Sequence, residues 1–467
     1  MNRNSLKRAA CLSSALLLAA CAQFGKQAPL EQPTAYSLGE GKSTTETQEA
    51  WWLQLRDRKL NALVAAAVKS SPDLRAAKAR FEQAQAQIGI TEAANKAHFG
   101  LNAEGAGLYA APKPAANQGS TRNHLTLAHI GLQGGISFDF WGKNRSRIAA
   151  GIGRRQAVLY EANQTRIELA HAVAAQYFVW QSLHSQKNLL DQRITVADKT
   201  IQLIQRRIGA ALMPSESLYP AELARQRLEL EKIQLEQQIS KVRNSLAVLS
   251  GTTPDSLPFS EPEKAVLPPV LNVRHIQADF LAARPDIAAQ KAILSAHKHS
   301  ISATEAEFYP NIELNVLAGL AHIDAFSAVR NKLSAAVGIA PALHLPLFRE
   351  RTLQSRLAFN RAEYNEQVAL YDQTVLQAML AAAHAVADYQ SASGKQAVAE
   401  KMRRTADQSL QAARRRMKAG LDHGLISLQK EDEALQLQIQ ETQWQAELLT
   451  AWSNLHAQLG GGFRTKP

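Results

Sequence analysis

Four segments of the chain alternate apolar residues with polar or very small ones. The alternation covers residues 130–140, 312–320 and 333–345, and more weakly the stretch from Phe99 to Tyr109. Successive side chains of a β-strand point to opposite faces, so these segments predict strands with one apolar face. Strands of about ten residues with this pattern suit a transmembrane barrel, although the strands of a soluble β-sandwich also alternate.

The predicted hairpin loops, 110–124 and 321–332, carry Asn, Ser, Arg and Lys and suit an aqueous side. Four strands cannot close a membrane barrel, and lipid tolerates no open sheet edge. If the strands cross a membrane, at least two chains must share one barrel, and three chains would give about twelve strands.

Elsewhere, apolar residues recur at helical spacing over very long stretches. Residues 143–210 and 352–419 contain no proline, and at 1.5 Å per residue each would form about 100 Å of helix. Short breaks at Met213–Ser215 and Gly420–Gly424 follow these stretches, and a further helix is predicted over 216–249. Each break therefore predicts the tip of an antiparallel helical hairpin.

The second half of the chain repeats landmarks of the first half in the same order. Pro72-Asp73 recurs at Pro285-Asp286, Thr91–Ala93 at Thr304–Ala306, Tyr177 at Tyr389, and Leu249–Gly251 as Leu459–Gly461. This near-constant offset predicts a duplicated unit of short helices, a β-hairpin and a long helical hairpin. In the first copy, an amphipathic helix is expected from about Ala50 to Lys69, followed by one that begins at Pro72.

The N-terminus has the features of a bacterial lipoprotein signal. Three basic residues (Arg3, Lys7 and Arg8) precede the apolar run Ala9–Ala20, which is too short to span a membrane. The run ends in Leu18-Ala19-Ala20-Cys21, which resembles a lipobox, and this resemblance implies cleavage before Cys21 and acylation of its sulfur. An ordinary secretory signal with an incidental cysteine is the alternative. By resemblance to lipoprotein sorting rules, Ala22 directs the protein to the outer membrane.

These features together predict the boundaries of the chain's segments. The expected order is a signal peptide at 1–20, a flexible lipid-anchored tether at 21–48, a first repeat at 49–251, a linker at 252–271, a second repeat at 272–463 and a tail at 464–467. The β-hairpins are expected at about 98–140 and 311–346, and the long helical hairpins at about 142–250 and 350–460.

Composition gives little evidence for a catalytic, metal-binding or nucleic-acid-binding site. The net charge of +12 is compatible with binding to nucleic acid, with binding to an anionic membrane surface, or with many solvated arginines on helix faces. The absence of a nucleic-acid-binding motif favours the solvated arginines. The two cysteines, Cys11 and Cys21, lie near the N-terminus, and His297 and His299 fall on different sides of a predicted helix. No catalytic or metal-binding motif is present, so we predict a protein that is not an enzyme and needs no cofactor or metal.

The order of these elements resembles the outer-membrane efflux protein family of TolC and OprM, particularly its NodT-type lipoproteins. The resemblance covers residues 21–463. The motifs that carry it are Leu18–Cys21, Phe138–Gly142, Arg284–Asp286, Phe308–Pro310, Leu345–Phe348 and Leu459–Gly462. Ala97 replaces a proline that the family commonly has before the first strand, and Phe463 replaces a tryptophan.

The resemblance implies a mainly α-helical fold with a small β part. Three chains would form a tapering α-helical barrel and a shared twelve-stranded transmembrane β-barrel, four strands coming from each. The homotrimer would be a passive exit duct for drugs or toxic organic compounds. A periplasmic adaptor protein and an inner-membrane transporter would deliver these solutes, and the acylated Cys21 would anchor each chain in the outer membrane.

The resemblance also implies sites at the periplasmic end. The adaptor is expected to dock at the two hairpin tips, formed by Ala211, Leu212, Ser215, Gly420, Leu421 and Gly424. The periplasmic mouth is expected near Asp407, Leu410 and Arg414. Family members often narrow this mouth with acidic residues, whereas residues 413–420 of this chain are basic, so Arg414–Arg416 could gate the channel, be solvated or pair between helices.

Two alternative functions stay open at this point. A TolC-like duct for protein secretion would have the same elements, since the partner pump determines the cargo. A coiled-coil structural lipoprotein without a channel would explain the helices and the anchor, but it would leave the four alternating strands without a role.

Overall fold

The computed structural model describes most of the chain. The described residues are 24–36, 49–110, 123–271, 283–325, 329–346 and 349–464. The predicted signal peptide, Cys21 and the start of the second predicted repeat lie outside them.

Long helices dominate the structure, with one small sheet. In chain order the elements are α1 (Arg58–Ser70), α2 (Pro72–Ala93), β1 (His98–Ala110), β2 (Asn123–Phe138), α3 (Lys143–Gly209), α4 (Leu218–Leu249), α5 (Pro285–Glu305), β3 (Asn311–Ala325), β4 (Val329–His344), α6 (Glu350–Lys418) and α7 (Leu425–Gln458). The predicted fold class, mainly α with a small β part, is confirmed. Helices α3 and α6 have 67 and 69 residues, which corresponds to about 100 Å each.

The chain divides into two compact units, and each draws on both halves of the sequence. The first unit holds the described residues within 24–33, 81–157 and 291–370, and therefore the whole described sheet. The second unit holds the described residues within 34–80, 158–290 and 371–464, which include α4, α7 and most of α3.

The four strands form one antiparallel sheet in the order β1-β2-β3-β4. The alternation predicted their cores but not their ends. β3 and β4 extend through most of the predicted loop at 321–332, with a register shift between Ile323 and Ala325, and β2 begins at Asn123. The backbone ladder continues past the point where side chains stop alternating, because its hydrogen bonds do not depend on side-chain polarity.

The first amphipathic segment differs from the prediction of one helix over residues 50–69. A 3-10 turn covers Trp51–Leu55, and α1 begins only at Arg58. Between them, Arg56 is left-handed (φ 53°) and Asp57 caps α1, accepting the N–H of Leu60 at 2.9 Å. A capping carboxylate at this point favours a new helix start over continuation of the old one.

The largest core lies in the second unit. Large, fully buried side chains from the 3-10 turn, α1, α3 and α7 meet there, among them Trp51, Leu60, Tyr177, Trp180 and Trp452. The linker adds the buried Leu257 and packs Phe259 and Leu271 against this core. Burial of this many aromatic and aliphatic groups makes it the main hydrophobic contribution to the stability of that unit.

Residues 24–36 are held against helix α6 and do not form the free tether that their composition suggested. Within the first unit, Phe24 packs edge-on against Phe308, with ring centroids 4.9 Å apart, and Arg361 donates to the carbonyl of Ala28 at 2.8 Å. Within the second, the N–H of Thr34 donates to Asp372 at 3.0 Å. The polar side chains of α6 supply partners for a backbone that forms no regular structure of its own.

Candidate functional site

The sheet of the first unit has one apolar face and one small or polar face. The strand register places Leu101, Leu132, Ala318 and Val337 in one row, and Leu101 and Val337 are 71% and 84% exposed. The next row, on the opposite face, consists of Asn102, Gly131, Gly319 and Ala336. An exposed apolar face opposite a small polar one suits lipid on one side and water on the other.

Both outer strands of this sheet have an open edge. In the described sheet, β1 pairs only with β2, and β4 pairs only with β3. Each outer edge therefore presents unpaired backbone N–H and C=O groups. Such an edge is not tolerated in a hydrocarbon environment unless another strand closes it.

Aromatic side chains mark the end of the sheet from which the long helices leave. Phe138, Phe140 and Trp141 are exposed at the end of β2. Trp141 stacks on Tyr309 with centroids 4.6 Å apart and donates its ring N–H to the carbonyl of Pro310 at 2.9 Å. A girdle of aromatic residues at this level is typical of the membrane–water interface of a barrel.

A carboxylate surrounded by three cations lies beside this aromatic end. Glu307 contacts Arg147 at 2.6 Å, Arg356 at 2.9 Å and Lys143 at 3.5 Å. Burial alone would raise the pKa of Glu307, but Lys143, Arg356 and Arg147 outweigh it and hold the pKa below its usual value. The ionised carboxylate thereby ties the starts of α3 and α6 to the residues before β3.

The two helical hairpins turn in the same way at their tips. Leu212 and Leu421 each donate their N–H to the carbonyl oxygen five residues back, at 2.8 and 3.0 Å. The preceding residues, Ala211 and Gly420, are left-handed, with φ of 57° and 72°. This is the Schellman helix end, and it leaves Leu212 and Leu421 64% and 71% exposed.

The other two predicted tip residues differ from each other. Ser215 is exposed and begins the short turn Ser215–Ser217 before α4. Gly424 is buried and left-handed (φ 89°), and a Cβ there would lie 3.4 Å from both Leu203 and Met417. These are ordinary contact distances, so the left-handed backbone and not a lack of space favours glycine at 424.

The predicted mouth residues lie along one helix, α6. Arg403 donates to Asp407 at 3.1 Å, and Arg414 donates to Glu431 of α7 at 2.9 Å. Leu410 is half-buried between them. Arg414 is thus paired between helices, while the two arginines that follow it are exposed.

Sequence reasoning missed a buried polar network in the second unit. Both Tyr177 and Gln181 donate to the carboxylate of Asp57 at 3.0 Å, and the Tyr177 hydroxyl accepts the N–H of Glu263 at 3.0 Å. Burial raises the pKa of both Asp57 and Tyr177. The only available signal was the recurrence of Tyr177 at Tyr389, whose hydroxyl likewise accepts a linker N–H, that of Leu271, at 2.9 Å.

A second missed feature is His456, which is 1% exposed in the core of the same unit. Its ring stacks on Trp51 at 5.8 Å and meets Trp452 edge-on at 4.5 Å. Neither ring nitrogen has a hydrogen-bond partner among the described residues. Burial lowers the pKa of His456 to about 4, so the ring is neutral at pH 7.

The described helices include none that combines the length and apolar composition needed to cross a membrane. Within the same residues, no three His, Cys, Asp or Glu side chains are grouped so that they could hold a metal ion.

Comparisons with known proteins bear on this arrangement. The model of the family described as "Outer membrane efflux protein" matches residues 63–252 and 278–461. The chain is 29% identical over 493 residues to the multidrug resistance outer membrane protein MdtQ of Escherichia coli O6:H1, covering 99% of this chain and all of that protein. It is also 29% identical over 388 residues to MdtP of Escherichia coli K12, covering 79% of this chain and 78% of that protein.

Solved structures show the same fold. The outer membrane protein VceC from Vibrio cholerae matches with a TM-score of 0.74 and 27% identity, covering 90% of this chain and 100% of that one. The outer-membrane channel OprN matches with a TM-score of 0.78 and 20% identity, covering 93% and 98%.

Proposed function

Since this chain belongs to the outer membrane efflux protein family, we propose that three copies of it share one barrel and serve as the exit channel of a tripartite pump. Proteins of this family form homotrimeric outer-membrane channels that work with an adaptor and an inner-membrane pump. The chain is an outer-membrane efflux channel protein.

The four-stranded sheet carries the proposal of a shared barrel. Its apolar face is exposed and both its outer strands have an open edge. Closure with two further copies would pair every edge and place the apolar rows against lipid and the small polar rows against water. Three copies would then contribute about twelve strands, and their long helices would form the duct below.

The position of Phe24 supports an anchor on Cys21. Phe24 lies against Phe308, and β3 begins three residues later, at Asn311. The three residue steps from Cys21 to Phe24 span at most about 11 Å. Acyl chains on Cys21 would therefore enter the membrane close to the base of the sheet. Cys21→Ser should remove the acyl mass from the purified protein, and an unchanged mass would contradict the proposed anchor.

The proposed cargo is small molecules such as drugs, which enter through the mouth near Asp407, Leu410 and Arg414. The names of MdtQ and MdtP refer to multidrug resistance, and we extend this role to the present chain. The channel would let solute diffuse along water and would perform no chemistry. The adaptor would dock at the tips, where Leu212 and Leu421 offer exposed apolar contacts.

Imaging of the protein extracted in detergent from isolated outer membranes tests the proposed assembly. We expect particles with threefold symmetry, a detergent-belted barrel and a tube of about 100 Å, which is the length of α3. A monomer, or a rod without a detergent belt, would contradict the proposal of a shared barrel and favour a coiled-coil structural lipoprotein.

A further inference from the structure

A groove of about 710 Å³ lies between helices α3, α6 and α7 in the second unit. This volume is in the range of sites that hold drug-sized molecules. Its walls combine apolar and ionisable side chains, among them Val179 and Leu183 of α3, Asp388 and Lys395 of α6, and Ala446 and Glu447 of α7.

On α3 and α7 the groove opens on the side that faces away from the core around Trp51, and on α6 it lies about 90° from the core positions 385, 389 and 392. On α7 the groove residues are 443, 446, 447, 450, 451 and 454, whereas the core cluster takes 448, 449, 452 and 455; residue 451 belongs to both sets, and Ala446 also packs against the core. At 100° per residue the two stripes centre on opposite sides of the helix. The same holds for α3, where residues 171, 179, 182, 183 and 186 line the groove and 170, 173, 174, 177, 178 and 180 enter the core.

This orientation decides which side of the helices faces the duct. The core side is covered by α1, the turn at Trp51 and the linker. If that side faced the duct, these segments would fill it. In a channel whose wall consists of the long helices, a groove opposite this covered side would open toward the duct.

The ionisable groups of the groove leave a net negative charge. Lys395 is neutralised by Glu447, with Nζ and Oε1 2.5 Å apart. Burial lowers the pKa of His171, which bonds to Ser453, so this ring is neutral at pH 7. Asp388 is exposed and forms no hydrogen bond or ion pair with any residue that the structure describes.

We propose that this groove binds amphiphilic organic cations in transit through the duct, with Asp388 as the counterion of the bound cation. The apolar wall formed by Val179, Leu183 and Ala446 would receive the hydrocarbon body of the solute. The groove would hold a solute by contacts that are few and solvent-accessible, which permits release as well as binding. The orientation toward the duct rests on the proposed channel function, but binding to the groove does not.

Equilibrium binding of rhodamine 6G, an organic cation, to the purified protein in detergent tests this inference by fluorescence anisotropy. We expect saturable binding of one dye per chain. Asp388→Asn should weaken it about tenfold, as expected for loss of a charged partner. Ser391→Trp, at an exposed groove position, should weaken binding by filling the groove. Asp255→Asn removes an equal charge from the exposed linker and should leave binding unchanged.

Fluorescein, an anionic dye with a similar ring system, should not bind saturably. The inference is overturned if rhodamine 6G does not saturate, if fluorescein binds equally well, or if Asp388→Asn and Ser391→Trp bind like the unmodified protein. Loss of binding in Asp255→Asn as well would also overturn it, because the effect would then be one of overall charge. A threefold channel without dye binding would refute the groove alone, whereas dye binding by a protein that never trimerises would refute the proposed channel alone.

Discussion

At the scale of single residues, two tyrosines at equivalent positions of the predicted repeats hold the same segment. The hydroxyl of Tyr177 accepts the N–H of Glu263, and that of Tyr389 accepts the N–H of Leu271. Both acceptors fix the backbone of the linker, which has no regular structure and must obtain its hydrogen bonds elsewhere. The Tyr177 hydroxyl also donates to Asp57, which caps α1.

We predict that Tyr177→Phe destabilises the protein. The substitution removes two hydrogen bonds and leaves the N–H of Glu263 and one oxygen of Asp57 without this partner. A buried group left unsatisfied costs about 1–3 kcal/mol. The thermal unfolding midpoint, followed by circular dichroism of the helices, should fall. Tyr160→Phe is the matched control, because the Tyr160 ring packs on Phe463 and no hydrogen bond of its hydroxyl is found within the described residues; an equal fall in both variants would contradict the assigned role.

His456 should make stability depend on pH. Its folded pKa of about 4 lies below the ordinary value of 6.5 because the ring is buried. Between these two values the unfolded chain binds more protons than the folded chain, so the contribution of His456 is fully present above pH 6.5 and is lost as the pH falls toward 4. The full loss corresponds to about 3 kcal/mol.

We therefore predict that His456→Phe reduces the drop in unfolding midpoint between pH 7.5 and pH 5. Other groups also titrate in this range, so the quantity to compare is the drop itself, in the variant and in the unmodified protein. His384→Gln, at an exposed position of α6, should leave the drop unchanged. An identical drop in His456→Phe and the unmodified protein would show that this histidine does not contribute.

At the scale of elements, the two hairpin tips share one backbone geometry but not one residue type. The left-handed position is occupied by Gly420 in the second tip and by Ala211 (φ 57°) in the first. A residue with a Cβ is strained in this region, and glycine is not. Ala211→Gly should therefore stabilise the first tip, because relief of about 1–2 kcal/mol of strain exceeds the cost of about 0.4–1 kcal/mol for glycine's freedom in the unfolded chain.

Hydrogen exchange of the amides around residues 206–218 measures this change locally. Slower exchange is expected in Ala211→Gly, and Gly420→Ala should give faster exchange at the second tip. Faster exchange in Ala211→Gly would indicate that glycine's gain of freedom in the unfolded chain outweighs the relief of strain.

At the scale of the whole molecule, the tips should matter for transport and not for assembly. Asp at both Leu212 and Leu421 would place charge where an adaptor is proposed to make apolar contacts. A strain from which the gene for the channel has been deleted should regain drug resistance when the unmodified protein is supplied. We predict that Leu212→Asp combined with Leu421→Asp abolishes this regained resistance, while trimers still form. Leu53→Asp, at an exposed position of the 3-10 turn, is the control. Full resistance in the double variant would exclude these leucines from docking.

The periodicity of the amino-acid sequence is sufficient to predict the types and approximate lengths of the elements. Helices and strands impose periods of 3.6 and 2 on apolar residues, and these periods persist over the long stretches that form α3, α6 and the centres of the strands. Proline and glycine fixed where helices begin and hairpins turn, as at Pro285 and Gly420. The motifs in their order identified the family.

Contacts between distant residues are visible only in the folded molecule. Asp57 and Tyr177 are 120 positions apart, and Arg414 reaches Glu431 across a hairpin. No local period encodes such pairs, because they depend on how elements pack. The same reason applies to the opposite orientations of the groove and the core on α7. It also applies to the ends of β3 and β4, where pairing continues after alternation has ceased.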